Sequence, residues 1–576
     1  MLKDVMVKNI VSRNLAVFFL YCLISIGYFG FPTLAHIQTR YVGMGFDPLY
    51  FIWCLYWLPY ALIHHLSFFF TRYMWAPQGI NLSWANQIPA LSFIFSPLTL
   101  LFGPIAANNL IAVISPVLSS FFAYILIKYL TKSRLAGFTG GYIYGFSPYT
   151  FAFNADMNLY FICLIPLIAY LFFLKYDGKI KTVTYIITTS VLAAAEFLIS
   201  PEIFATMIFF GCLSIIVSLF LFTDERIKLY KMLYYSALSL IISFILISPF
   251  IYNMLITINN IPGYIMPPDT YSVNLINIII PAPIIFFGGA FFVKYGFRLF
   301  QTASYIGIPL IVIVILYAIK EWKNKSGQFL IIMLSIVLVF SFGPYLHIMA
   351  ANTNIPMPWF LFYKLPFIGK ALPLRLMLYS YLIIAVITGF FVANINKNKL
   401  LNYLLIIIAI FFIIPTQFYF DGNTHMPSFF LNGYYKRYIK KNSNVLILPF
   451  SNFGYSLAYQ AYSRFYFRLA GGYPVSVPES YVKNRAVNIL LNSPNLKDAD
   501  KAIADSFSRF IISHNISDVI VVRGKSAYQP GNDNLHPYKS YKSILGALNV
   551  KPVKIYGVIL YKISHNHSRP KQNMLK

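Results

Sequence analysis

Residues 104–127 read PIAANNLIAVISPVLSSFFAYILI, 24 positions without a charged side chain, and the chain runs from them into Lys128, Lys132 and Arg134. A hydrocarbon core about 30 Å thick takes around 20 consecutive apolar residues as helix, so this stretch predicts a membrane span with one cationic end. Working outward, the same criterion predicts eleven spans: 15–34, 104–127, 135–152, 158–174, 182–199, 202–222, 232–252, 303–319, 328–346, 375–394 and 399–418. Composition agrees. Hydrophobic residues make up 58% of the 576 and charged residues 11%, against about 45–50% and about 25% in soluble chains. Lipid must cover the surplus apolar surface, and the fold class is a polytopic α-helical membrane protein.

Charge sets the orientation. With the N-terminus cytoplasmic, every short inner connection is basic: Lys3, Lys8 and Arg13; Lys128, Lys132 and Arg134; Lys175, Lys179 and Lys181; Arg226, Lys228 and Lys231; Lys320, Lys323 and Lys325; Lys397 and Lys399. The long connections 35–103, 253–302 and 347–374 then lie outside and carry few Lys or Arg, which is the positive-inside asymmetry. The net charge of +28 is therefore read as orientation and contact with anionic headgroups. Without a basic stripe interleaved with aromatics, nucleic acid is not indicated as a partner. Asn14 to Phe31 lacks a following small-residue cleavage site and reads as a retained signal-anchor helix.

An odd number of spans places Tyr419 to Lys576 outside as well. Short apolar runs there, Val445–Phe450, Asp518–Val522 and Ile555–Ile563, are strand-sized, and Leu496–Ile512 has helical spacing. The expected organisation is a membrane domain over 1–418 with its first outer loop at 35–103, an extracytoplasmic α/β domain over 419–563, and a polar tail over 564–576. Within the first loop, Phe51 to Leu66 is aromatic and interrupted by Pro59. With Trp53, Trp57, Trp75 and Trp84 it reads as helices lying along the interface. Leu91–Leu101, with Pro97, reads as re-entrant or as part of the next helix.

Only 17 residues are acidic, so each can be placed. Asp47, Asp156, Glu196, Glu202 and Asp269 fall on the outer face or in the outer half of a span, where a carboxylate needs a partner or water. Asp47 sits in Gly45-Phe46-Asp47-Pro48, where it either carries chemistry or caps the following helix. Asp156 lies in the outer turn Asn154–Asn158 and reads equally as a polar turn residue. Glu196 and Glu202 flank Ser200-Pro201, an arrangement that lets both face one aqueous cavity, with helix capping the competing role of Glu202. Arg375, shortly after Lys364 and Lys370, suits a lipid phosphate because guanidinium binds phosphate in bidentate fashion; headgroup snorkelling is the alternative. His36, His64 and His65 lack metal-ligand spacing. Cys22, Cys54, Cys163 and Cys212 read as buried apolar residues. No P-loop, GxGxxG or GxSxG motif points to nucleotide-driven chemistry.

Several stretches together resemble the GT-C superfamily of membrane glycosyltransferases, and within it a prokaryotic branch of largely uncharacterised members. They are Gly45 to Trp53 (GFDPLYFIW), Phe68 to Asn81 (FFFTRYMWAPQGIN), Pro97 to Pro104, Gly145 to Pro148, Glu202 after Phe197 to Ser200, and Arg468 to Tyr473 (RLAGGY). The resemblance implies transfer of a sugar from a polyprenyl-phosphate carrier to an extracytoplasmic acceptor, with the first-loop carboxylate, here Asp47, as general base. Asp156 matches a second acidic position, though Met157 and Asn158 depart from a plain paired-acid motif. The implied catalytic residues are thus Asp47 and Asp156. The substrate-binding ones are Arg375, Glu202, Glu196, Lys370 and Trp53. Some superfamily members use a divalent metal and others none, and the scattered carboxylates do not decide between them. Two other classes stay open: a translocase of a lipid-linked sugar, which midplane charge and repeated broken helices would favour but against which the acids gather toward one face without a clear repeat between chain halves, and a noncatalytic envelope-assembly protein binding through its outer domain.

Overall fold

The computed structural model describes residues 2–30, 33–43, 45–257, 268–292, 303–349, 351–365, 369, 371–395, 399–416, 421–474, 477–529 and 535–563. Lys370, Lys397 and the tail 564–576 lie outside them. The chain forms two compact units. The first comprises Met1–Ala35, Leu110–Ile251 and Ile265–Asp421; the second comprises His36–Asn109, Tyr252–Tyr264 and Gly422–Lys576.

Among the described residues, seven helices are long and apolar enough to cross a membrane: Ser12–Gly30, Pro104–Thr131, Met157–Tyr176, Thr182–Ile199, Pro201–Leu221, Thr223–Leu246 and Pro373–Ala393. The other four expected spans are helical but shorter. Residues 135–152 divide into Arg134–Gly145 and Pro148–Ala152, because Ser147 caps the second piece by accepting from the Thr150 N–H at 3.3 Å and Pro148 cannot continue the first. Ile308–Glu321, Lys325–Ser341 and Lys399–Phe412 have 14, 17 and 14 residues. The expected 232–252 span starts earlier, since Arg226, Lys228 and Lys231 stand on the helix itself, where long cationic side chains reach the interface.

In the first unit, glycine lets helices touch. A Cβ at Gly140 would lie 2.7 Å from the Ala385 carbonyl oxygen, and one at Gly141 would lie 2.5 Å from that of Ser120. The helices Pro104–Thr131, Arg134–Gly145 and Met377–Ala393 thereby approach backbone to backbone, the small-residue packing that substitutes for hydrophobic drive within lipid. Cys54 and Cys163 are buried as expected, whereas Cys212 is exposed on its span, an outward position that an apolar solvent tolerates.

In the second unit, a five-stranded mixed sheet has the order 553–555, 558–562, 516–522, 444–448, 468–469. Its last three strands are parallel and its first three antiparallel. The α/β texture read from the sequence is present, with shifted limits. The Ile555–Ile563 run contains a hairpin turn at Tyr556-Gly557, with Gly557 at φ +88°. The helix expected from Leu496 begins at Lys501, because the Asp500 side chain caps it by accepting from the Ile503 N–H at 2.7 Å.

The first-loop tryptophans pack within the protein, Trp84 only in part. Asp47–Ile63 is one continuous helix with Pro59 inside it, and Pro48 through Ala61 are all buried. Trp53, Trp57 and Trp75 are fully buried as well. The helix packs on Pro89–Ile94, Ser96–Phe102 and Ser456–Tyr462. A helix that is apolar on every face belongs in a core, where each large side chain contributes about 1.5–3 kcal/mol on full burial. Leu91–Leu101 forms two short helices, and Gly103 at φ +90° separates them from Pro104–Thr131.

Candidate functional site

Asp47 is the first residue of its helix, and Phe46 occupies the cap position. Gly45, at φ +85°, makes the preceding turn in a backbone region that L-residues rarely adopt, and its carbonyl accepts from the Tyr41 hydroxyl at 3.1 Å. The half-buried Asp47 carboxylate accepts a hydrogen bond from the Tyr473 hydroxyl, Oη to Oδ1 2.5 Å, across 426 positions of sequence. The Tyr473 ring lies between two others, stacked on Phe46 at 5.1 Å and on Tyr50 at 4.3 Å between centroids.

A backbone ladder fixes Tyr473. Leu469 N donates to Tyr73 O, Ala76 N to Leu469 O and Trp75 N to Gly471 O, at 2.9–3.0 Å, and Trp75 Nε1 donates to Tyr473 O at 3.1 Å. Gly472 makes the approach possible, since a Cβ there would lie 2.2 Å from Met74 Cγ. The FFFTRYMWAPQGIN and RLAGGY stretches are thus stitched together, and their junction delivers a phenol to the carboxylate of GFDPLYFIW. Tyr50 donates to Ala85 O at 2.5 Å, and burial, followed by Cys54 and Tyr473, holds its hydroxyl well above the ordinary range. Burial likewise pushes the Cys54 thiol up to about 12, against a lowering contact from Tyr50. Cys54 is therefore a neutral thiol, not a nucleophile. Trp53 is fully buried, and its Nε1 donates to Gln460 Oε1 at 2.8 Å. Gln460 in turn donates to Tyr73 O and Phe467 O. The structure places Trp53 as a tether in the core rather than on a binding surface.

The remaining predicted residues lie in the first unit. Ser200 caps the helix Pro201–Leu221 by accepting from Ile203 N at 3.3 Å, which relieves Glu202 of that role. Glu202 Oε1 accepts from Leu372 N at 2.8 Å, and Oε2 forms an ion pair with the Arg375 guanidinium. Arg375 Nε is buried without an acceptor among the described residues. Asp156 precedes the short helix Met157–Tyr160 without capping it, and lies within electrostatic reach of Arg375 and of the buried Tyr149, which also faces Glu202. Glu196 is fully buried, its carboxylate oxygens without hydrogen-bond partners among the described residues; Tyr144, Tyr379 and Cys163 are its electrostatic neighbours. Asp269 accepts from Asn352 Nδ2 at 3.1 Å beside His347.

The structure therefore brings Glu202, Arg375 and Asp156 into one neighbourhood, and separately gives Asp47 a tyrosine. Sequence reasoning quoted Tyr473 within a motif but gave it no role, and it passed over Tyr149. The doubled glycine before Tyr473 was the available signal for a close backbone approach. Among the described residues no three His, Cys, Asp or Glu groups converge.

No family model matches the chain, and neither does any curated relative. Among solved structures it is similar to the archaeal oligosaccharyltransferase AglB from Archaeoglobus fulgidus, in complex with an inhibitory peptide and a dolichol-phosphate. That match has 13% identity over 97% of this chain and 75% of that one, with a TM-score of 0.49. It is also similar to ArnT from Cupriavidus metallidurans in the apo state, with 10% identity over 98% and 100% and a TM-score of 0.48. For ArnT bound to undecaprenyl phosphate the values are 11%, 98%, 99% and 0.43. These likenesses extend over 97–98% of this chain at 10–13% identity.

Proposed function

We propose that the protein is a membrane glycosyltransferase that moves a sugar from a polyprenyl-phosphate carrier to an acceptor outside the cytoplasm, with Asp47 as general base. The observation that carries this reading is the half-buried Asp47 carboxylate held by the Tyr473 hydroxyl at 2.5 Å. Two of the motifs behind the GT-C resemblance meet there on one acid. In the reaction, the acceptor oxygen bonds to the anomeric carbon as the bond from that carbon to the carrier phosphate breaks. The acceptor proton passes to Asp47, and the bonding pair leaves on the phosphate. Phosphate is a good leaving group, so the enzyme supplies chiefly the base and a cation for the departing charge.

Arg375 is assigned to the carrier phosphate through the edge of its guanidinium that Glu202 leaves open, and Glu202 holds that guanidinium in place. The orientation follows from the basic connections: N-terminus cytoplasmic, first outer loop and C-terminal sheet outside. The domain limits 1–418 and 419–563 are retained as units of topology.

The test compares sugar transfer from a labelled polyprenyl-phosphate donor by wild type and Asp47→Asn at matched membrane levels. Transfer by the variant at near-normal rates removes Asp47 from the chemistry. For the cation, Arg375→Lys keeps the charge and loses the planar fork; unchanged dependence on donor concentration removes Arg375 from the donor site.

A further inference from the structure

Arg523, His536, Lys539 and Lys554 converge on a cavity of about 260 Å³ in the second unit, lined also by Tyr538 and Ile559. Sheet register explains the convergence. Lys554 and Ile559 are cross-strand partners in the hairpin 553–562, so their side chains leave the same face of the sheet. Arg523 follows the central strand Ile516–Val522, and its N–H donates to Gly557 O at 3.0 Å, which sets it beside the hairpin turn. The short helix Pro537–Ser540 packs on that central strand, with His536 just before it and Lys539 in its last turn.

Three permanent cations and an imidazole therefore surround one small space, and none of its described lining residues is acidic. Among the described residues none of the four forms an ion pair; the acids Glu479 and Asp500 are engaged elsewhere by Lys483 and Arg485. Like charges gathered at a concave wall repel one another, and such a wall focuses their field on whatever anion enters. Guanidinium and ammonium together match the oxygens of a phosphate, and the exposed Tyr538 ring offers a flat apolar face beside them. The volume lies below the ~300–1,000 Å³ of pockets for larger ligands, which suits one charged head group rather than an oligosaccharide.

We propose that this cavity is an anion site that binds a single phosphate-bearing group of monosaccharide size, supplied either by a soluble sugar phosphate or by an anionic lipid headgroup. Its test needs no transfer assay, so its outcome is separate from the reading of Asp47. The full chain in phosphatidylcholine nanodiscs is titrated calorimetrically with glucose 1-phosphate and, in parallel, with glucose. Saturable binding of the phosphate alone is expected, weakened about tenfold or more in Arg523→Ala/Lys554→Ala and weakened by salt. Both side chains are exposed, so the variant should keep its melting temperature; Lys539→Glu supplies an independent loss. Nanodiscs of phosphatidylglycerol distinguish the sources: competition there identifies the headgroup, and unchanged binding identifies the soluble phosphate. Equal binding by wild type and the double variant, or glucose binding as well as its phosphate, overturns the proposal.

Discussion

Asp47 and Glu202 both stand in the first turn of an apolar helix beside a proline, yet their surroundings use them in opposite ways. In the first unit Glu202 is spent: one oxygen takes a backbone N–H, the other takes Arg375, and Ser200 does the capping. In the second unit Asp47 receives a tyrosine hydroxyl between stacked rings. A carboxylate fastened by a guanidinium and a backbone N–H is held as a structural joint, whereas one oriented by a hydroxyl is placed as a general base has to be. Local sequence, an acid next to proline, is nearly the same in both.

The comparison breaks most readily at Asp47. Asp47→Asn keeps size and capping ability and removes the base, so transfer should fall about 10²-fold or more with the protein still inserted. If the loss follows protein level instead, Asp47 is as structural as Glu202.

Glu202→Gln should do the reverse. Removing one member of an ion pair withdrawn from solvent costs about 3–5 kcal/mol when burial is complete; with both side chains about a fifth exposed, a cost of about 2 kcal/mol is expected. It would be read as a lower melting temperature in detergent, with Glu202→Gln/Arg375→Met regaining part of the loss. A variant that melts like wild type but loses donor affinity would move Glu202 into the site.

Tyr473→Phe sharpens the contrast further. It preserves stacking on Phe46 and Tyr50 and deletes one hydrogen bond to the carboxylate, so turnover per folded protein should fall about tenfold, beyond a stability loss of at most about 1.5–3 kcal/mol. Equal losses of stability and turnover would make the phenol a fastener only.

The smallest expected effect concerns the sheet of the second unit. Burial lowers the His514 pKa from 6.5, against a raising contact from Phe510 O. A base with a depressed folded pKa contributes stability above its unfolded pKa, and that contribution is lost as pH falls from about 6.5 through the folded value. Protection of the strand Ile516–Val522, taken as exchange relative to the intrinsic rate at each pH, should therefore fall modestly on acidification, and His514→Phe should flatten the dependence. An unaltered slope in the variant would assign the pH response to other groups.

Much of the architecture was legible because membrane spans are local statements. Twenty apolar residues followed by lysine need no knowledge of the rest of the chain, and among the described residues helices stand at all eleven expected positions, seven of them of spanning length. The strands at 444–448 and 516–522 were legible for the same reason. The burial of the first-loop helix was not legible because what covers a helix's second face is supplied from elsewhere in the chain, and Gln460, the partner of Trp53, comes 407 residues later.

By itself the sequence determined a polytopic helical chain, the asymmetry of its basic connections, an α/β C-terminal part and a short roster of acids that had to be accounted for. Tertiary structure alone decided what each acid does, since a carboxylate's role depends on its partner. The Tyr473 hydroxyl, the Arg375 guanidinium and the Leu372 N–H are supplied from 170 to 426 positions away. Apolar runs and turn residues act within a few positions along the chain, whereas hydrogen bonds and ion pairs act through space, and only the folded backbone brings those distances down to 3 Å.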